Sequence, residues 1–453
     1  MSLPVSHGLG GVSDLPVPLW LFYYGAALVL VLSFVALWAL WKRPVLARAS
    51  AGRPLPDGLE RVLRSTALRV AAGAASFALL VLVAVAAAIG DTSLDENLAP
   101  RFVFVVFWLG LPALSVLLGD VWTVLNPWRA AADAAAWVSE RVGVRWVTPF
   151  AYPARLGCWP AVVLLFAFAA LELAYWDPAD PRALALAILV YSTVTWLGML
   201  AYGRQRWVEN GEAFAVYFGL LARIAPFGEH GGRLVVRWPF TGLARLESGP
   251  GMLAFVAVML GSVAFDGFSQ TELWVDFREE RLRSVIQRSP DLADAVGMLL
   301  ATAGLLAMVA LVALAYVLAM KAAAYAVHYD GDLTGAFLGS LVPIALAYVV
   351  AHYFSFFVRE VQYVVPFASD PFGFGWDLFG TADVRPESAW LTPKTIWYTQ
   401  VAALVIGHVA GLVLAHDKAV ELFESPRKAA ISQYAMLALM VVYTLGGLWL
   451  LSQ

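Results

Sequence analysis

Residues 343–362 read PIALAYVVAHYFSFFVREVQ, and residues 397–418 read WYTQVAALVIGHVAGLVLAHDK. Each run is long and apolar enough to cross the roughly 30 Å hydrocarbon core of a bilayer as a helix rising about 1.5 Å per residue. Once they are read as membrane helices, their few polar residues become the informative ones. At 3.6 residues per turn His352, Ser355 and Arg359 share one stripe of the first run, with Gln362 beside it, so that stripe faces something other than lipid. In the second run Gly407, Gly411 and Ala415 form a small-residue seam that lets another helix approach closely, with His408 beside it near mid-membrane. A charge at that depth costs on the order of 2 to 3 kcal/mol or more, which makes His352 and His408 candidates for function. The plainer alternative for each is a neutral imidazole bonded to a backbone carbonyl.

The rest of the chain agrees with a membrane reading. Hydrophobic residues make up 61% of the 453, charged residues 14%, and mean hydropathy is +0.74, far from the composition of a soluble domain. Eighteen tryptophans suit the two interfacial belts. A lone Cys158 excludes a disulfide framework and a cysteine-based metal site. A net charge of −3 says nothing about partners; for a polytopic membrane chain the partners expected are the lipid bilayer and a small solute, an ion or a small apolar ester, and not nucleic acid.

Ten runs are long enough to span, near 17–41, 67–90, 101–119, 155–175, 183–203, 251–268, 296–320, 335–358, 395–416 and 430–450. They predict an all-α integral membrane protein, a bundle of about ten transmembrane helices with interfacial amphipathic helices. Residues 1–16 have neither a basic n-region nor a small-residue cleavage site, and read as a polar arm ahead of a polytopic domain over 17–453. Ten spans also divide into two five-helix halves, 1–227 and 228–453, each with a proline-interrupted third span (Gly110 with Pro112, and Pro343). Most of the 30 basic residues fall in alternate loops, after the first, third, fifth, seventh and ninth spans. Those loops are then cytoplasmic, both termini face outward, and the membrane is a bacterial inner membrane.

Four connections carry more than a link. In ENGEAFAVYFGLLARIAPF, residues 209–227, Phe214, Tyr217, Phe218, Leu221 and Ile224 recur with helical period and predict a helix lying in the interface; Ala130 to Arg141 gives a weaker case. Residues 265–294 mix acids, arginines and aromatics and predict a small helix over the outer mouth. Residues 367–390, dense in Gly, Pro and aromatics, have the composition of a lid.

Compact enzyme signatures are absent from the sequence: no G-x-S-x-G, Walker A, H-E-x-x-H or C-x-x-C. Any site is therefore dispersed, and the topology assembles two polar layers. The outer layer holds Glu172, Asp266, Ser269, His352, Ser355, Arg359, Glu360 and Gln362, with His7 and Asp14 on the N-terminal arm. Histidine and carboxylate at one depth can hold a divalent metal such as copper or zinc, with His7, Asp14, His352 and Asp266 as ligands, or act as an acid–base pair. The duller alternative is a structural ion pair from Arg359 to a carboxylate. The inner layer holds Asp120, Lys321, His328, His416 and Asp417. His328 and His416 could ligate a haem iron, but such ligands usually lie deeper and haem is not expected. His408 lies between the layers, where a proton relay needs a titrating group.

Five strings taken together, SHGLGGVSDLPVPLWLF, GDVWTVLNPWR, AFDGFSQT, AHYFSFFVREVQ and GHVAGLVLAHDKA, resemble a family of bacterial, largely actinobacterial, membrane proteins labelled fenitrothion hydrolase. The resemblance covers nearly the whole chain. It implies a polytopic inner-membrane protein that hydrolyses an organophosphate triester, with His7, Asp266, His352 and His408 inside the matching strings. Architecture alone points instead to proton- or metal-linked transport through Glu172, Asp266, His352, Arg359 and His408. A third reading is a subunit or assembly factor of a larger membrane complex, with membrane-protein partners.

Overall fold

The computed structural model of the chain describes residues 18–49, 52–144 and 148–452. Among them ten helices are long and apolar enough to cross a membrane: Trp20–Leu40, Asp57–Ile89, Leu98–Leu118, Ala154–Leu173, Pro181–Tyr202, Met252–Ser269, Pro290–Val327, Leu333–Ser369, Pro393–Leu422 and Pro426–Leu451. The protein is an all-α polytopic membrane protein. In lipid every backbone N–H and C=O must be bonded within its own segment, and the helix is how a single apolar run achieves that.

The sixth and eighth spans sit at the centre. The sixth is buried over nearly its whole length, from Phe255 to Gly267, and packs against the fourth, seventh and eighth. The eighth and ninth meet along the small-residue seam. A Cβ added at Gly407 would lie 2.2 Å from the Ala347 side chain, and one at Gly411 would lie 2.7 Å from the Ser340 carbonyl. Both distances are shorter than any real contact, so only glycine permits this approach.

The connections sort into two faces, as ten crossings require. On one face strand β1 (Arg53–Pro54), from the first connection, pairs antiparallel with β3 (Arg233–Val236), from the fifth, and β3 pairs with β2 (Phe227–His230). Asp417, at the end of the ninth span, gathers the first connection around itself. It accepts from the Trp41 indole at 3.0 Å and from the backbone N–H groups of Val45, Leu46 and Ala47 at 2.5, 3.0 and 2.8 Å. On the opposite face the connection after the eighth span is tied to the one after the second, Asp91 N–H to Phe372 O at 2.8 Å and Leu98 N–H to Pro371 O at 3.2 Å.

The third span departs from a regular helix. Residues Phe102–Gly110 wind in wide turns with i→i−5 bonds, and Leu111 N–H closes the last of them on Val106 O. Pro112 follows without an N–H to give, so the interruption flagged by Gly110 and Pro112 takes the form of widened turns. These turns aim neighbouring side chains at two different places. Trp108 stacks on Tyr217 at 4.9 Å on one side, whereas Phe107 meets Phe214 edge-on at 4.5 Å on the other.

The connection before the sixth span corrects the sequence prediction. Helix Ala213–Ala222 does not lie flat with one face in lipid. Phe214, Tyr217, Phe218 and Leu221 are buried as the period required, but so are Ala213, Val216, Leu220 and Ala222. It is wedged among the third, fourth and eighth spans. Its apolar face is wider than the five periodic residues suggested, because the small and β-branched residues between them are apolar too. Helix Pro127–Arg141 does bury one stripe, Trp128, Ala132 and Ala136. In the sixth connection, helix Glu272–Arg288 buries only Trp274.

Candidate functional site

The eighth span presents His352 and Tyr353 to the sixth, and both reach Asp266. His352 Nε2 lies 2.8 Å from Asp266 Oδ2, with side-chain exposures of 7% and 5%. The Tyr353 hydroxyl donates to the same oxygen at 2.6 Å, and its ring meets the imidazole edge-on at 4.7 Å. Glu172, half-buried on the fourth span, completes the group. The Tyr353 hydroxyl and the Trp108 indole lie within reach of its carboxylate. Three spans thus bring Glu172, Asp266, His352 and Tyr353 to one place.

The remaining expected residues divide. His408 is fully buried on the ninth span, with Nδ1 2.8 Å from Leu404 O, and its Nε2 has no hydrogen-bond partner among the described residues. It does not touch Asp266 or His352. Beside His352 lies a cavity of about 10 Å³ lined by Tyr348, Ala351, His352 and Leu404 with residues of the sixth and tenth spans; His408 does not line it. The cavity has room for about one water. The Tyr348 ring stands 6.0 Å from the His408 ring, and its hydroxyl donates to the Tyr443 carbonyl. Gln400, two turns along from His408, is fully buried with neither amide atom bonded among the described residues.

Arg359 stays apart from the cluster. It is half-buried and forms no ion pair among the described residues, so the anticipated Arg359 to carboxylate bridge is not present there. Its neighbour Glu360 pairs instead with Arg101 at 2.9 Å, and Arg101 also holds Asp95 at 3.0 Å and lies over the Tyr363 ring at 4.4 Å. His7 and Asp14 lie outside the described residues, and among those described no three His, Cys, Asp or Glu side chains stand at metal-ligand spacing. His416 and Asp417 are spent on structure. The His416 ring nitrogens lie 3.0 Å from Trp41 O and 3.1 Å from Gln433 Oε1, in the clamp that holds the first connection.

A second buried carboxylate was not singled out from the sequence. Glu212 is fully buried at the start of helix Ala213–Ala222. One oxygen accepts from the Tyr191 hydroxyl and from Phe214 N–H at 3.0 Å; the other accepts from the Trp122 indole and Asn126 amide, each at 3.0 Å, and from Ala215 N–H at 2.9 Å. The signal available was its place, one residue before an apolar decapeptide with an acceptor side chain to cap it. Outward of this knot, a groove of about 570 Å³ runs between the second, third, fourth and fifth spans, with an almost wholly apolar lining.

No protein-family model, no curated protein and no solved structure matches the chain.

Proposed function

We propose that the chain is a proton-linked membrane transporter, and that the Asp266–His352 pair takes up and releases the coupling proton. The observation that carries this reading is the contact of Asp266 with both His352 and Tyr353, facing Glu172, deep within a ten-helix bundle. A buried carboxylate whose partners themselves titrate can exchange a proton for a change in packing, which is what coupling requires. The adjoining cavity admits about one water, which suits a proton and gives a triester no room. His408, on the neighbouring ninth span, has Nε2 unbonded among the described residues, and its ring stands 6.0 Å from that of Tyr348, which lines the cavity. The test is proton flux into dye-loaded proteoliposomes under an imposed pH gradient. Asp266→Asn and His352→Gln each lower flux at least tenfold; wild-type flux in both variants overturns the reading.

Hydrolysis of an organophosphate triester is the second reading, favoured by the 2.8 Å His352–Asp266 contact, which is the geometry of an oriented general base. It requires Asp266 and leaves His408 dispensable. Turnover of a chromogenic phosphotriester that is equal in wild type and Asp266→Asn removes it. Under either reading we propose that the β1–β3 face lies in the cytoplasm of a bacterium with both termini outside, a reading supported by the excess of Lys and Arg in the alternate loops. Trypsin that cuts at Lys42 and Arg48 only in inside-out vesicles agrees; cutting in right-side-out vesicles reverses the orientation.

A further inference from the structure

The groove between the second and fifth spans is deeper than the surface of a helix bundle produces by chance. Its floor is made of Trp122, Trp128 and Phe214, only 4%, 4% and 3% exposed, which also belong to the main hydrophobic core. A surface groove that reaches core residues has been kept open. What keeps it open is the Glu212 knot: Trp122 and Tyr191 donate to that carboxylate, Phe214 N–H does so from the next helix, and Trp128 Nε1 is held separately by Ser192 at 2.8 Å. With their polar atoms tied, these rings cannot rotate to fill the space in front of them.

The shape and setting identify the occupant. The lining on the fifth span runs from Ala183 to Tyr191, about 12 Å at 1.5 Å per residue, so the groove is elongated along the helix axes and hence along the membrane normal. Its rim includes Leu186 and Val190, 62% and 53% exposed, on a helix whose outer surface lies in the bilayer. Its volume falls in the roughly 300–1,000 Å³ range of ligand pockets, and no charged side chain lines it. At this depth only hydrocarbon has access, and a chain lying parallel to the helices fits where a compact solute does not. We propose that the groove is a binding site for an acyl chain of a membrane phospholipid, its headgroup staying at the face that carries Tyr175. The proposal depends on the membrane setting alone and is independent of proton transport.

The experiment is photolabelling in proteoliposomes with a phospholipid that carries a diazirine in its acyl chain, mapped by peptide mass spectrometry. The seventh span supplies the internal standard, because Leu311, Leu314 and Leu318 are 58%, 56% and 56% exposed and meet only bulk lipid on that side. Label on Trp128, Tyr191 and Phe214 exceeds label on those leucines several-fold in the wild type. Ala187→Trp, which fills the groove, lowers the groove label at least threefold and leaves the seventh-span label unchanged. Ala183→Leu does the same with a smaller intrusion and stands in if the tryptophan variant is not monodisperse. Groove label no higher than seventh-span label, or label indifferent to both substitutions, overturns the proposal.

Discussion

Glu212 and Asp266 are both carboxylates buried among apolar helices, and they are bonded in opposite ways. The partners of Glu212 include two backbone N–H groups, an indole and an amide, groups that donate and never titrate. Only Tyr191 among them carries a dissociable proton, and it too acts as donor. Asp266 is met by an imidazole and a phenol converging on a single oxygen, with a second carboxylate facing them. A carboxylate held by fixed donors is a structural anchor, because its charge is what the donors require. One held by titratable partners has more than one way to satisfy the site, and the proton can move. Asp417, held by an indole and three backbone N–H groups, belongs with Glu212.

The contrast is tested most severely at Glu212. Glu212→Ala strands the donors of Tyr191, Trp122 and Asn126 in the core at about 1–3 kcal/mol each, so a loss of about 4 kcal/mol or more is expected as a collapse of the thermal unfolding midpoint in detergent. At Asp417 the effect is smaller. Asp417→Ala frees Val45, Leu46 and Ala47 N–H groups close to the surface, where water replaces the carboxylate. It costs about 1–2 kcal/mol and speeds tryptic cleavage at Lys42 and Arg48. Asp266→Asn changes stability by less than about 1 kcal/mol, since an amide oxygen still accepts from Tyr353, while proton flux falls at least tenfold. If Asp266→Asn is as destabilising as Glu212→Ala, the distinction between anchor and exchange site fails. The smallest effect has the opposite sign. Gln400→Leu removes an amide with no partner among the described residues and raises stability by about 1 kcal/mol, read as an upward shift of the same midpoint.

Hydropathy made the membrane bundle legible, because span length and apolar composition are local properties. The seam at Gly407 and Gly411 was legible for the same reason: a four-residue spacing of small side chains on one helix needs no knowledge of its partner. The meeting of Asp266 with His352 could be guessed only as a shared depth, and the structure supplies the contact. Tyr353 was passed over because, with neighbours such as Phe354 and Phe356, it reads as another apolar aromatic. Arg101 and Glu212 were missed for a different reason. Each lies at the end of an apolar run, where a charge normally snorkels to water, and only tertiary packing turns such a position into a buried one. The burial of helix Ala213–Ala222 on all sides was likewise invisible, since a period of 3.6 identifies the best face and says nothing about whether the others are covered.

The seam at Gly407 and Gly411 has a mechanical consequence. Along the seam the ninth span meets the Pro343 and Ser340 carbonyls and the Ala347 methyl, groups with no rotamer to change, and Ile344 is the one longer side chain beside Gly411. Such close packing leaves the eighth and ninth spans little room to slide past one another, so they are expected to move together. His352 and His408 ride on that pair, while Asp266 stands on a different helix, the sixth span. Rocking of this pair against the sixth span stretches the Asp266–His352 contact and spares the seam, so under the proposed proton coupling the joint that gives is the one to which the proton is assigned.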